Sequence, residues 1–327
     1  MMNNKNQLTF ADTELTGVKR ITKKAQFLEK MNDIIPWDVL EETIAPFYYK
    51  NHLGRKARDL NLMIRMYLLQ IWYNLSDEGL EDEIYESVSM RNFVGLDLMS
   101  ETVPDATTLL HFRHLLEKHE LGKKIFDSIN GCLTKAGYIY NGGTIVDATI
   151  ISAPGSTKNK KQERDPEMHS TKKGNMYYFG ARLHAGQDAY GSMTHSISLT
   201  AANVNDIEET HHVIREDDDT VWGDAGYIGI EKRKEIANDQ RFNHIEFRIN
   251  KRPSVVRALG ENIYKWCDRK EEYLKSKVRC KVEHTFHILK QVFKFKKFSY
   301  RGIAKNLNRL YATFAMINMY KLAQIIG

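Results

Sequence analysis

Three cysteines among 327 residues are few. Cys132, Cys267 and Cys280 are odd in number and form no CxxC pair, which speaks against a disulfide scaffold and against a zinc knuckle. No apolar run reaches the ~18 residues that a membrane-spanning helix needs. The opening, MMNNKNQLTFADTE, has no apolar core of a secretion signal. The expectation is a cytoplasmic protein with no membrane partner. No internal repeat is visible.

What is present is enough for a sizeable core and for two domains. With 42% hydrophobic and 28% charged residues, the chain reads as globular rather than disordered. The net charge of +6 is unevenly spread. Between Arg269 and Arg301 stand eleven Lys or Arg against three Glu, an excess larger than that of the whole chain. Such a run is either a solvated face or a phosphate-binding one.

That basic stretch also carries an acid. Arg279, Glu283 and Lys290 are separated by four and seven residues, so at about 100° per residue they share one helix face. Val278, Val282, Phe286, Leu289 and Phe293 form an apolar stripe beside them. A helix packed by that stripe offers Glu283 from its border, with cations either side suited to DNA phosphates and with Lys277 and Lys281 close by. The alternative is a basic surface helix whose one acid pairs with Arg279 at i,i+4.

Two upstream aspartates favour the first reading. Asp147 sits inside the β-branched run Thr144 to Ile150, and Asp224 ends the short strand Thr220 to Gly223 before a glycine turn. Aspartate is depleted in strands, and an unpaired carboxylate there is costly. A divalent cation is one remedy. Asp147, Asp224 and Glu283 would supply an all-oxygen donor set for Mg²⁺, with Mn²⁺ as the alternative ion.

Along the chain, residues 1–140 read as helical. Leu60 to Tyr73 is strongly apolar, Asp77 to Glu83 begins another helix, and Asp105 or Thr107 caps Leu109 to His119. Arg55, Lys56, Arg58 and Arg113 suit a DNA-end reader, while a dimerising or supporting domain fits as well. From Thr144 the pattern turns to strands. Ser156 to Gly174 reads as a long polar loop, Tyr178 to Ala189 and Met193 to Thr200 as a hairpin, and Asp206 to Glu216 as a helix. The Asp224 strand follows, then a helix from Ile230 to Asp239, a strand from Phe242 to Ile249, and the basic helix from Arg269 to Phe293. His184 reads as a satisfied strand histidine, Trp222 as core, Asn203 and Asp206 as caps, and His211, His212 and Glu216 to Asp219 as solvated surface.

Several of these segments together resemble the DDE transposases of bacterial insertion sequences, in the IS5 group within the IS4-like assemblage. The matching pieces are IVDATI around Asp147, YYFGARLHAG from Tyr177 to Gly186, and LTAANVNDIEE from Leu199 to Glu209. They continue in the family's order with VWGDAGYIG around Asp224 and VRCKVEHTFHILK from Val278 to Lys290. The resemblance implies an α+β fold, with a ribonuclease H-like catalytic domain at 141–327 behind a helical domain at 1–140 for DNA-end binding or dimerisation. It implies that the first and fourth strands are adjacent, bringing Asp147 and Asp224 together. Its acid triad falls on Asp147, Asp224 and Glu283, with Arg279 and Lys290 completing the motif around the last acid. The motif's tyrosine is absent: Ser276 stands in its place, one turn after Tyr273. The implied activity is metal-dependent cleavage and strand transfer on terminal inverted repeats and target DNA, by a homo-oligomer. In that chemistry Asp147 is the best candidate to bridge two Mg²⁺ ions, with Asp224 and Glu283 each completing one.

Overall fold

The computed structural model describes residues 21–48, 57–258 and 263–326; Arg55 and Lys56 lie outside the described residues. The chain divides into two compact units, Met1–Lys124 with Met319–Gly327, and Ile125–Asn318.

The first unit is built from α1 (Lys23–Ile34), α2 (Trp37–Ile44), α3 (Leu60–Tyr73), α4 (Asp77–Glu86), α5 (Val88–Val94) and α6 (Ala106–Lys118). A helix that is apolar on every side must be covered on every side, and α3 accordingly buries Met63, Met66, Leu69 and Trp72. Asp59 accepts the Leu62 N–H at its start, and Asn74 ends it in the left-handed conformation at φ 50°. Of the two expected caps for α6, Asp105 is the one that accepts, from Thr108 N–H. Arg113 departs from expectation. It is buried and forked across the Asp77 carboxylate, so it does not face DNA. It sits on a face of α6 that also buries Leu109, Phe112 and Leu116, which carries it inward.

The second unit holds a six-stranded mixed sheet flanked by helices, an α+β arrangement. Its strands are β1 (Gly142–Ser152), β2 (His169–Lys173), β3 (Met176–Asp188), β4 (Thr194–Ala201), β5 (Asp218–Gly223) and β6 (Glu246–Ile249). The order is β2-β3-β1-β5-β6, with β4 also paired to β3. Central β1 is antiparallel to β3 and parallel to β5, and β6 runs parallel to β5. With strands on both sides and cover on both faces, Ile145 and Val146 are fully buried. At Gly143 a Cβ would stand 2.7 Å from the Trp222 ring, so only glycine lets β1 and β5 meet there.

Val146 belongs to one core cluster with Val213, Val221, Tyr227, Ile236 and Phe242. The opposite face takes the apolar stripe of the basic segment, where Val282, Phe286, Leu289 and Phe293 are buried. That segment is not one uninterrupted helix. After α7 (Leu121–Lys135) and the sheet, α8 (Ile263–Arg279) gives way at Cys280 to α9 (Lys281–His287) and a π-helical turn, Ile288–Val292. Cys280 has ψ −16°, and the Glu283 N–H bonds the carbonyl three residues back rather than four. The last helix, α10 (Ile303–Ile325), is tied to β4 through Asn318, whose amide bonds both the N–H and the carbonyl of Thr194.

Other segments also differ from their sequence reading. Within Ser156–Gly174, His169–Lys173 is a strand, joined to β3 by a Gly174-Asn175 turn in which Gly174 has φ +62°. The stretch is further pinned to α10, since Asp165 accepts the Gly302 N–H and Glu167 the Ile303 N–H, each at 2.7 Å. A polar edge strand needs no apolar alternation, which hid β2. Asp206–Glu216 is two 3₁₀ turns, Asp206–Glu208 and Thr210–His212, without a side-chain cap from Asp206. Ile230–Asp239 is likewise a 3₁₀ turn followed by Lys234–Ala237, and the β6 strand is only Glu246–Ile249. In these stretches Ile230, Ile236, Phe242 and Ile245 all reach the same core, so tertiary packing sets the backbone rather than a helical period. Asp218, read as solvated, is fully buried and accepts from the Arg215 N–H and its guanidinium.

Candidate active site

Parallel strands with adjacent C-terminal ends make a crevice where chemistry-bearing side chains collect. Ile145 of β1 pairs with Trp222 of β5, and Asp147 and Asp224 each follow two residues later. The two acids therefore leave the sheet at the same level, side by side, as the expected strand adjacency requires. Beyond Ile145, β1 continues without β5 beside it. On that open edge Asp147 Oδ1 accepts the Ala148 N–H at 2.8 Å. Asp224 opens a 3₁₀ turn, Ala225–Tyr227, and its Oδ1 takes the Gly226 N–H at 2.8 Å.

Glu283 reaches this pair through arginine. Arg279, the last residue of α8, places Nη2 at 2.8 Å from Glu283 Oε1 and Nη1 at 3.7 Å from Asp147 Oδ2. The guanidinium thus stands between the two carboxylates. Among the described residues, no three His, Cys, Asp or Glu side chains converge closely enough to hold a metal ion. The donor chemistry nevertheless fits a hard divalent cation: Asp147, Asp224 and Glu283 offer carboxylate oxygens, with Asp147 in a setting that penalises its charge. Burial pushes the Asp147 carboxyl up to about 6, Asp224 and Asp206 add to the rise, and the Ala148 N–H and Arg279 oppose it.

The other basic residues have separate employments. Lys290 donates to Thr149 Oγ1 at 2.5 Å and to the Ile150 carbonyl at 2.9 Å, capping the open edge of β1. Burial holds its ammonium below the usual lysine range. Lys281 donates to the Ala189 carbonyl at 2.6 Å, while Lys277 is exposed. Ser276 accepts from Asn250 Nδ2 at 3.2 Å, within a clamp in which Asn250 and the Lys251 N–H also bond Glu272. Tyr273 is largely solvent-exposed, with Lys270 Nζ 5.7 Å from its ring centroid.

Three residues beside the acids, Arg182, Asp206 and Tyr227, are not legible in the sequence as part of a site. Asp206 is ion-paired with Arg182 at 2.8 Å, and burial raises its carboxyl while Arg182 lowers it. Tyr227, the last residue of the turn after Asp224, is buried, and burial with Asp206, Asp147 and Asp224 pushes its phenol well above the usual range. The available signal is Arg182 on the largely buried strand β3 and Asp206 within the ANVND segment. His184 is buried and only half satisfied: Nε2 meets Thr200 Oγ1 at 2.9 Å, Nδ1 has no hydrogen-bond partner among the described residues and lies 3.9 Å from Asp206 Oδ1, and burial holds its pKa down to about 3, so it is neutral. Trp222 is core.

Residues 141–319 match the family described as Transposase DDE domain, and residues 17–115 match the family described as Transposase domain (DUF772). No solved structure matches the chain. No helix among the described residues is long and apolar enough to cross a membrane.

Proposed function

This chain belongs to the DDE-domain transposases, and from that premise we propose that it moves an insertion sequence of the IS5 group. In this reading it binds the element's terminal inverted repeats, cuts the DNA strands there and joins the freed ends to target DNA. The observation that carries the reading is the pair of carboxylates, Asp147 and Asp224, at the C-terminal ends of adjacent parallel strands, with Glu283 linked to Asp147 through Arg279. The strand order β4-β3-β1-β5-β6, with β3 antiparallel to β1 and β5 and β6 parallel, supports a ribonuclease H-like catalytic domain.

Asp147, Asp224 and Glu283 would hold Mg²⁺, or Mn²⁺ in its place. Bound there, the ions supply an activated oxygen nucleophile and stabilise the departing oxygen in an in-line phosphoryl transfer. The chain's own contributions follow from its geometry. Asp147, which lies beside Asp224 and is approached by the Ala148 N–H and by Arg279, would be a ligand whose charge a cation would offset. Arg279 must turn from the acids when they are loaded, and a DNA phosphate is the partner its fork suits. Lys290 keeps the edge of β1 rigid under Asp147 as well as adding positive charge. Lys277 faces solvent, free to meet the backbone of the duplex. The helical part, 1–140, serves end binding or dimerisation, 141–327 is the catalytic part, and the working form is a homo-oligomer on DNA in the cytoplasm.

The test uses Asp147→Ala, Asp224→Ala and Glu283→Ala with DNA carrying the element's ends. Each variant is expected to lose strand cleavage while retaining end binding in band shifts. A variant that cuts at the wild-type rate removes that acid from the site.

A further inference from the structure

Beyond Gly180 and Ala181, the β1 and β4 ladders on β3 end; Phe179 still accepts the Ala153 N–H, and Met176–Tyr178 pair only with β2. Only glycine fits at 180, where a Cβ would stand 2.1 Å from the Ile151 carbonyl. What leaves the sheet there is a two-stranded ribbon. At its tip Met176 is 60% and Tyr177 75% exposed. These two large apolar groups are held outward at the tip and are not buried by the fold.

Charge accompanies them. From His169 to Tyr178 the ribbon carries Lys172 and Lys173 and no acid. Lys172 is the register partner of Tyr177, and its Nζ lies 5.6 Å from that ring's centroid. The ribbon is also tied to the acid site. Arg182, the partner of Asp206, reaches Thr171 Oγ1 at 3.5 Å, and the charge of Lys173 is felt at both Asp206 and Lys290.

We propose that the β2–β3 ribbon grips a single DNA strand leaving the acid site, with a base stacked on Tyr177 and phosphates held by Lys172 and Lys173. An exposed aromatic beside cations and free of acids suits sequence-tolerant single-strand binding, because every base has a stacking face and every nucleotide a charge. A second copy of this chain suits the surface less well, since symmetric pairing of two such ribbons would bring like charges together. The proposal rests on the DNA-processing reading of the acid site.

The full-length protein is titrated against a labelled duplex with and without a single-stranded poly-dT tail, read by fluorescence anisotropy. Wild type is expected to prefer the tailed DNA. Tyr177→Ala should lose roughly 5- to 100-fold in affinity for the tailed DNA, and change duplex affinity by less than about twofold. Tyr177→Phe should retain the preference. Lys172→Ala with Lys173→Ala should lower the log–log salt slope on the tail by about 1.4, at about 0.7 per contact. If Tyr177→Ala binds both DNAs as wild type does while Asp147→Ala still abolishes cleavage, the ribbon assignment fails and the acid-site reading stands. A wild type that binds neither DNA overturns both. A change in solution mass in Tyr177→Ala, with DNA binding untouched, overturns the assignment in favour of a protein interface.

Discussion

Replacing Asp147 with Asn removes a charge that the folded chain holds at a cost. The carboxyl is raised from 3.8 to about 6, first by burial and then by Asp224 and Asp206. The sign follows from proton linkage. The folded chain binds this proton more tightly than the unfolded one, so the associated stability is full below about pH 4. It is lost as pH rises through about 6. A tenfold difference in proton affinity between the two states is worth about 1.36 kcal/mol, so ionised Asp147 costs the fold at most about 3 kcal/mol at neutral pH. Asn keeps the shape and an oxygen for the Ala148 N–H without that cost.

Asp147→Asn is therefore expected to unfold at higher temperature than wild type at about pH 7.5 without divalent metal. At about 2–4 °C per kcal/mol, the gain reaches up to ~10 °C. Near pH 4 the two proteins should melt together, since both then carry an uncharged side chain. Adding Mg²⁺ should stabilise wild type by mass action and leave the variant little changed. Scanning calorimetry at the two pH values, with and without the ion, reads all of this. A gain of equal size at both pH values, or a loss at neutral pH, would refute the reasoning, because the charge would then not be the source of the strain.

Arg279→Ala should lower the log–log salt slope of duplex binding by roughly 0.9 and tighten Mg²⁺ binding, since the guanidinium no longer competes for Asp147 and Glu283; if calorimetric titration and salt series both match wild type, Arg279 is only a surface ion pair. Lys290→Ala should also cost about 1.5–3 kcal/mol of stability through its lost bonds to Thr149 and Ile150, and a urea midpoint equal to wild type would count against that role. Arg182→Leu leaves Asp206 unpaired beside two other acids and should cost about 1–3 kcal/mol, much of it recovered when Asp206→Leu is added; thermal melts that show no recovery would mean the pair is not the coupled unit.

The parts of the fold that are legible in sequence are those where one physical cause acts alone. The apolar character of Leu60–Tyr73 dictates a buried helix whatever surrounds it, and the β-branched run at Thr144–Ile150 dictates a strand. The parts that are not legible are those where distant groups decide. β2 is polar on both faces and exists because Met176–Gly180 presents an edge to it. The 3₁₀ turns after Asn205 follow from core anchors that must reach one cluster from a short connection. Arg113 is a charged residue whose burial depends on a partner distant in sequence, Asp77, whose pairing with it no period reveals; Asp218 is buried with Arg215 at i,i+3, a local spacing that the acid run Glu216 to Asp219 obscures.

At the candidate site, residue identity and residue geometry separate. The spacing of Arg279, Glu283 and Lys290 presumes one straight helix. The interruption at Cys280 leaves the Arg279–Glu283 contact in place and turns Lys290 into the edge of β1. The same interruption explains why Arg279 reaches Asp147 at all: it ends one helix while Glu283 rides the next. A carboxylate raised to about 6 by burial and two neighbouring acids needs a counter-charge, and here an arginine at a helix end provides it. A divalent ion would satisfy the same requirement more strongly, and a DNA phosphate would satisfy the arginine. Were both to bind, exchange of partners at Arg279 would couple the arrival of metal to the arrival of DNA.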